Sequence, residues 1–178
     1  MIEFLEHIFL EQHHHFPLIF GHGIFNIIEL MFGIILMKNK KFCFGIIPLR
    51  CNDNGWEVFL VKDNKGHWGF PKGTPLREET PEQIACREMY VKTGLSVEEF
   101  LQVCPLKEEY ASFEADKEIE KVVTYFLARV RGEVLLLKKE ICDSKWLSFN
   151  EASELITFDQ SRQICLKAAE ILDFLSKK

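Results

Sequence analysis

Apolar residues along the chain recur at two spacings, and the spacing divides it into strands and helices. Alternating or continuous apolar runs predict strands over 42–50, 56–62, 101–113, 121–131 and 133–138, with a short one at 145–148. Asn52-Asp53-Asn54-Gly55 is a hairpin turn between the first two. Thr80-Pro81-Glu82-Gln83 opens a helix: Thr80 caps, Pro81 suits the first helical position, and Gln83 completes a capping box. That helix runs to Thr93, where Gly94 is placed to end it in the left-handed conformation. Ser148 and Glu151 form a second capping box, for a short helix through Ile156. Ile164, Ala168, Ile171, Leu172 and Leu175 form one stripe of a last helix over 160–176. Together these elements predict an α/β fold in which helices sandwich a mixed sheet. At 178 residues, one domain is expected.

Composition changes the picture at the N-terminus. Residues 1–36 contain no Lys or Arg, four Glu, five of the six His and none of the six Cys. From Met37 onward, 22 basic residues face 23 acidic ones. The expected division is a hydrophobic, His-rich extension over 1–36, not native to the protein, and a single domain over 37–178 that starts at Met37. The rival is a membrane anchor. Phe16–Leu36 is long enough to span, and Lys38, Lys40 and Lys41 follow it. Pro17, His22, Asn26 and above all Glu29 argue against insertion. The stretch lacks the basic start and small-residue cleavage site of a signal peptide. His13-His14-His15 reads as a solvated run rather than a metal site.

The six Cys form no CxxC pair and read as small buried hydrophobes in a reducing, cytoplasmic setting. No basic stripe marks a duplex nucleic-acid surface. The acidic stretch Glu108–Glu120 reads as a solvated loop.

Candidate chemistry concentrates between Gly73 and Leu95. A Glu follows Gly73 by six residues, Arg87-Glu88 follow Glu79 by eight, and Gly94-Leu95 close the segment. On the predicted helix, Glu88 is a surface neighbour of Val91 and Lys92. A Mg2+ ion there needs several oxygen ligands. Glu88 is one, Val91 offers none, and Lys92 brings a positive charge. An ammonium and a dication a few ångströms apart repel by roughly several kcal/mol at an effective dielectric near 20.

This spacing resembles the Nudix box, G-x5-E-x7-R-E-U-x-E-E-x-G-U with U apolar, with Val91 and Lys92 in place of the Glu-Glu pair. The resemblance covers roughly 38–176 and is nearest the asymmetrical diadenosine tetraphosphate hydrolases and the related bacterial RNA pyrophosphohydrolases. Trp68-Gly69-Phe70-Pro71-Lys72-Gly73 is similar to their entry to the box, and Glu140 with Trp146-Leu147 is similar to their E-x5-W-L segment. It implies a Nudix-type α/β/α sandwich. It also implies hydrolysis of nucleoside polyphosphates by metal-assisted attack of water on phosphorus, with Mg2+ or Mn2+. Glu88, Glu140 and the Gly73 carbonyl inherit metal-binding roles; Glu79 and Arg87 brace the loop and helix; Lys72 contacts phosphate; Tyr125 stacks on a base. A cytoplasmic monomer is expected. Val91 and Lys92 imply impaired activity.

Plainer readings stand beside these. Lys72 is equally a surface lysine, Tyr125 a core residue and Glu140 a solvated turn residue. Glu79 serves as negative charge before a helix, and Glu88 as the partner of Lys92 one turn on. At the level of the whole protein, the alternatives are an inactive nucleotide-binding domain and a decayed scaffold.

Overall fold

The computed structural model describes residues 40–53, 55–76, 78–114 and 117–177. The 1–36 extension, with its His run and the Phe16–Leu36 segment, lies outside the described residues. In chain order the elements are β1 (Lys40–Asn52), β2 (Gly55–Asp63), β3 (Trp68–Gly69), β4 (Lys72–Gly73), α1 (Pro81–Thr93), β5 (Ser96–Phe100), β6 (Leu106–Glu114), β7 (Lys117–Arg131), β8 (Ile141–Ser148), α2 (Phe149–Leu155) and α3 (Asp159–Ser176).

β1 is the hub of the sheet. It pairs antiparallel with β2, with Leu49 opposite Val58. It pairs parallel with β7, from Lys40↔Glu120 to Leu49↔Arg129. β8 adds to β2, while β5 and β6 add to β7, all antiparallel. The sheet is therefore mixed.

Successive residues of a strand point to opposite faces, and here both faces are covered. Ile47, Leu49, Val58, Leu60, Val123, Tyr125 and Leu127 pack with Ala152 of α2 and Ile164, Cys165, Ala168 and Leu172 of α3. Their strand neighbours Ile46, Phe59, Val61, Ala128 and Val130 pack on the other side with Ala85 and Met89 of α1. Each fully buried Ile or Leu contributes about 1.5–3 kcal/mol of transfer free energy, which ties the helices to the sheet. The result is the expected α/β/α sandwich.

Four expectations need correction. The apolar run at 133–138 forms no strand. Gly132 (φ 116°) turns the chain out of β7, and the N–H groups of Leu135 and Leu137 donate to the carbonyls of Thr93 and Lys92. The run thus satisfies the open C-terminal end of α1 instead of a sheet edge. The single strand expected over 101–113 is interrupted before β6 starts at Leu106, with Val103 N–H turning back to the Leu101 carbonyl. The acidic stretch is a hairpin and not a loop, with β6 and β7 paired from Leu106↔Tyr125 to Glu114↔Lys117. On α3, Leu175 belongs to the predicted stripe but is exposed.

Candidate functional site

Local rules build the α1 end of the site as expected. Thr80 and Gln83 exchange capping-box hydrogen bonds, Pro81 opens the helix, and Gly94 closes it at φ 76° with its N–H on the Tyr90 carbonyl. Upstream, β4 lies against β1 with Lys72 opposite Gly45. A Cβ on Gly45 would sit 2.5 Å from the Pro71 carbonyl oxygen, so only Gly allows this approach. A Cβ on Gly73 would fall 2.0 Å from the Glu88 carboxyl carbon: the Glu88 side chain packs directly on Gly73.

Arg87 joins loop to helix. Its Nε and Nη2 donate to the two oxygens of Glu79 at 2.6 and 2.9 Å, and Nη2 also reaches the Thr74 carbonyl. Glu79 in turn accepts from the Leu76 N–H at 3.0 Å, and Arg87 Nη1 holds Glu88 Oε1. The bidentate geometry is the strong form of this pair. The Arg87 hydrogen bonds, with that of Leu76, hold the Glu79 carboxyl at about 2, below its ordinary 4.5. A depressed carboxylate stabilises the fold above its unfolded pKa, and the contribution disappears as pH falls through the folded value. Glu79→Gln is therefore expected to melt below the parent protein at pH 7, with the gap closing between pH 4.5 and about 2. Thermal melts across that range check it; a gap independent of pH would sink the assignment.

The centre of the site is occupied by Lys92. Its Nζ lies 2.6 Å from Glu140 Oε2 and 3.3 Å from Glu88 Oε2. The two carboxylates matched to metal binding thus converge on an ammonium. Glu88's other oxygen is taken by Arg87. Among the described residues, no three His, Cys, Asp or Glu side chains converge as a metal group. A divalent cation does not fit this arrangement, because it would have to share the space with the Lys92 charge.

Lys72 and Tyr125 are used differently from expectation. Lys72 Nζ is paired with Glu108 Oε1 at 2.9 Å, and the Glu108 side chain is only 2% exposed. Tyr125 OH and Ser161 Oγ also donate to Glu108, at 2.9 and 2.8 Å. Burial works against the Lys72 ammonium, but the Glu108 carboxylate beside it outweighs that and keeps its pKa above the ordinary lysine value. Burial pushes the Tyr125 phenol far up, so it acts as a donor. Tyr125 is fully buried on the α3 face and edge-on to Phe70. It offers no free ring face for a base; a central strand covered on both sides has no exposed position there.

Lys72, Lys92, Glu140 and Ser161 line one cleft of about 210 Å3, together with Asp63, His67 and Phe158. Phe158 is half exposed, and its ring centroid lies 4.9 Å from that of His67. His67 is fixed by Asp63, which accepts from its backbone N–H at 2.9 Å and lies 3.3 Å from Nδ1. Thr157 anchors the next turn: its Oγ1 accepts from the Trp68 N–H, and its N–H donates to the Trp68 carbonyl.

The family model described as the NUDIX domain matches residues 40–168. The chain belongs to the Nudix family. Its Nudix domain is 32% identical over 125 residues to the mRNA-decapping enzyme subunit 2 of Arabidopsis thaliana, covering 66% of this chain and 31% of that protein. The chain thus spans under a third of that relative's length. Among solved structures, a binary complex of a C. elegans Ap4A hydrolase superimposes with a TM-score of 0.65 at 22% identity, over 75% of this chain and 98% of that one. The NUDIX domain of Shewanella oneidensis NrtR with ADP ribose gives 0.61 at 20% identity, over 75% and 88%. At these identities the likeness to the two structures is one of fold.

Within this Nudix domain, three features escaped the motif: Glu108 behind Lys72, the Phe158–His67 pair, and the Lys92–Glu140 bridge. Glu108 and Phe158 lie outside the box and outside the W-G-F-P-K-G and E-x5-W-L segments. Lys92 and Glu140 are 48 positions apart, and the pairing of β8 with β2, together with the Leu137 N–H on the Lys92 carbonyl, brings Glu140 to α1.

Proposed function

We propose that this Nudix domain binds a nucleoside polyphosphate of the dinucleoside tetraphosphate type, with metal-assisted hydrolysis impaired. The observation that carries it is the Lys92 ammonium bridging Glu88 and Glu140, which puts a permanent cation between the carboxylates otherwise matched to a metal. The cleft holds what such a ligand needs: the Lys92 ammonium in its lining, and an exposed aromatic ring beside a histidine. Phe158, rather than Tyr125, is the proposed base platform. Glu79 and Arg87 are proposed as braces, and Gly73 as the backing of Glu88. None of the six Cys is in a disulfide, which suits a cytoplasmic setting, although only Cys43 and Cys165 are buried and not all six as expected; a monomer is part of the same proposal. Among the described residues, no helix is long and apolar enough to cross a membrane.

Calorimetry of the full chain with diadenosine tetraphosphate tests this. Binding is expected in EDTA, essentially unchanged by Mg2+. Phe158→Ala is expected to weaken it about tenfold, as loss of one base–aromatic stack does. Rapid product release with Mg2+ that disappears in Glu88→Ala would overturn the proposal.

A further inference from the structure

We propose that Glu140 is a built-in competitor for the ligand's phosphate: its carboxylate sits on the Lys92 ammonium where a phosphate oxygen binds when nucleotide enters. The inference rests on the nucleotide-binding function proposed above. Lys92 is held by two carboxylates that differ sharply. Glu88 is 13% exposed and is also fixed by Arg87; Glu140 is 52% exposed, and its Oε2 contacts the lysine at 2.6 Å. The half-exposed partner is the one that can leave.

Leaving requires only a side-chain rotation. The Glu140 backbone is anchored at both ends, its N–H on the Leu137 carbonyl and its carbonyl accepting from Asn64 N–H. Asn64 Nδ2 reinforces the turn through the Lys139 carbonyl at 2.8 Å. The other lysine of the cleft has no such freedom. Glu108, the counter-ion of Lys72, is 2% exposed and bound by Tyr125 and Ser161 as well. Of the two, Lys92 alone can trade its counter-ion for a ligand anion. The exchange is balanced: one anion replaces another on an ammonium that keeps its proton, and no covalent bond changes. A polyphosphate wins because it carries more charge than a carboxylate and forms strong charge-assisted hydrogen bonds.

The consequence has the opposite sign to that of losing a metal ligand. Removing the Glu140 charge strengthens nucleotide binding. The test is calorimetry of the full chain with diadenosine tetraphosphate, in EDTA at fixed ionic strength. Glu140→Gln is expected to tighten binding about fivefold, the scale of an exposed ion pair, and Lys92→Ala in the same background to cancel the gain. Asp143→Asn is the charge control; its carboxylate accepts from the Ser144 N–H, and it does not line the cleft. It is expected to leave affinity unchanged. Equal or weaker binding by Glu140→Gln while the parent protein binds, or an equal gain from Asp143→Asn, overturns the competitor role and leaves the nucleotide-binding function standing. No binding by either the parent protein or Glu140→Gln, each melting cooperatively, overturns that function and the inference with it.

Discussion

Val91→Glu combined with Lys92→Glu is expected to raise Mg2+-dependent turnover of diadenosine tetraphosphate by on the order of 100-fold, close to 3 kcal/mol of barrier. Two physical changes produce the gain. The bridging ammonium disappears, freeing the oxygens of Glu88 and Glu140 that now face it at 3.3 and 2.6 Å. Two carboxylates are added on the same side of α1, giving a hard cation the oxygen-rich site that it needs. The fold has room for both. Val91 is 49% exposed, so a longer polar side chain displaces no core atoms. Lys92→Glu alone is expected to do less, because it frees the existing ligands but leaves one position apolar. Product release with and without Mg2+ measures the effect, alongside Mn2+ titration of the folded variant. A double variant that binds Mn2+ yet shows no turnover would mean that the impairment lies elsewhere in the cleft.

Glu108→Ala is expected to destabilise the domain by about 3–5 kcal/mol in urea unfolding, the usual cost of stranding one partner of a buried ion pair. The Glu108 carboxylate receives Lys72, Tyr125 and Ser161 at once. Its loss leaves an ammonium against two aromatic rings, those of Tyr110 at 5.0 Å and Tyr125 at 5.6 Å, with no anion. It also leaves a phenol without its acceptor inside the α3-side core. Glu108→Gln keeps an acceptor of the same shape and is expected to lose less. A cost below about 1 kcal/mol for the alanine variant would show that Lys72 turns out to water, and that the network is not the anchor of β4.

The accuracy of the sequence-level expectations follows the range of the interactions. Both capping boxes, the glycine stop at Gly94 and the Glu79–Arg87 brace were legible because each is closed within ten residues. The run Val134-Leu135-Leu136-Leu137 looked like a strand because an apolar run does not reveal where its N–H groups will go. They go to the end of α1. The glutamates of β6 looked like a loop because an acidic stretch resembles solvent-exposed chain until its hairpin partner is known. Tyr125 was ambiguous for a related reason: where both faces of a strand are covered, alternation cannot say which side chains reach a cleft.

The three helices, the caps of the first two, the long strands β1, β2 and β7, the layered fold and the family were determined by the sequence itself, because periodicity, caps and box spacing are local properties. That a cation could not easily share α1 with Lys92 was also written there, in the substitution of Val91 and Lys92 for carboxylates. Only the tertiary structure decided where the charges are spent. It brings Glu140 to Lys92, turns Lys72 inward to Glu108, buries Tyr125 and leaves Phe158 at the cleft. These pairings join residues dozens of positions apart. A charge settles on the opposite charge that lies nearest in space and is least hydrated, and the chain's linear order does not contain that distance.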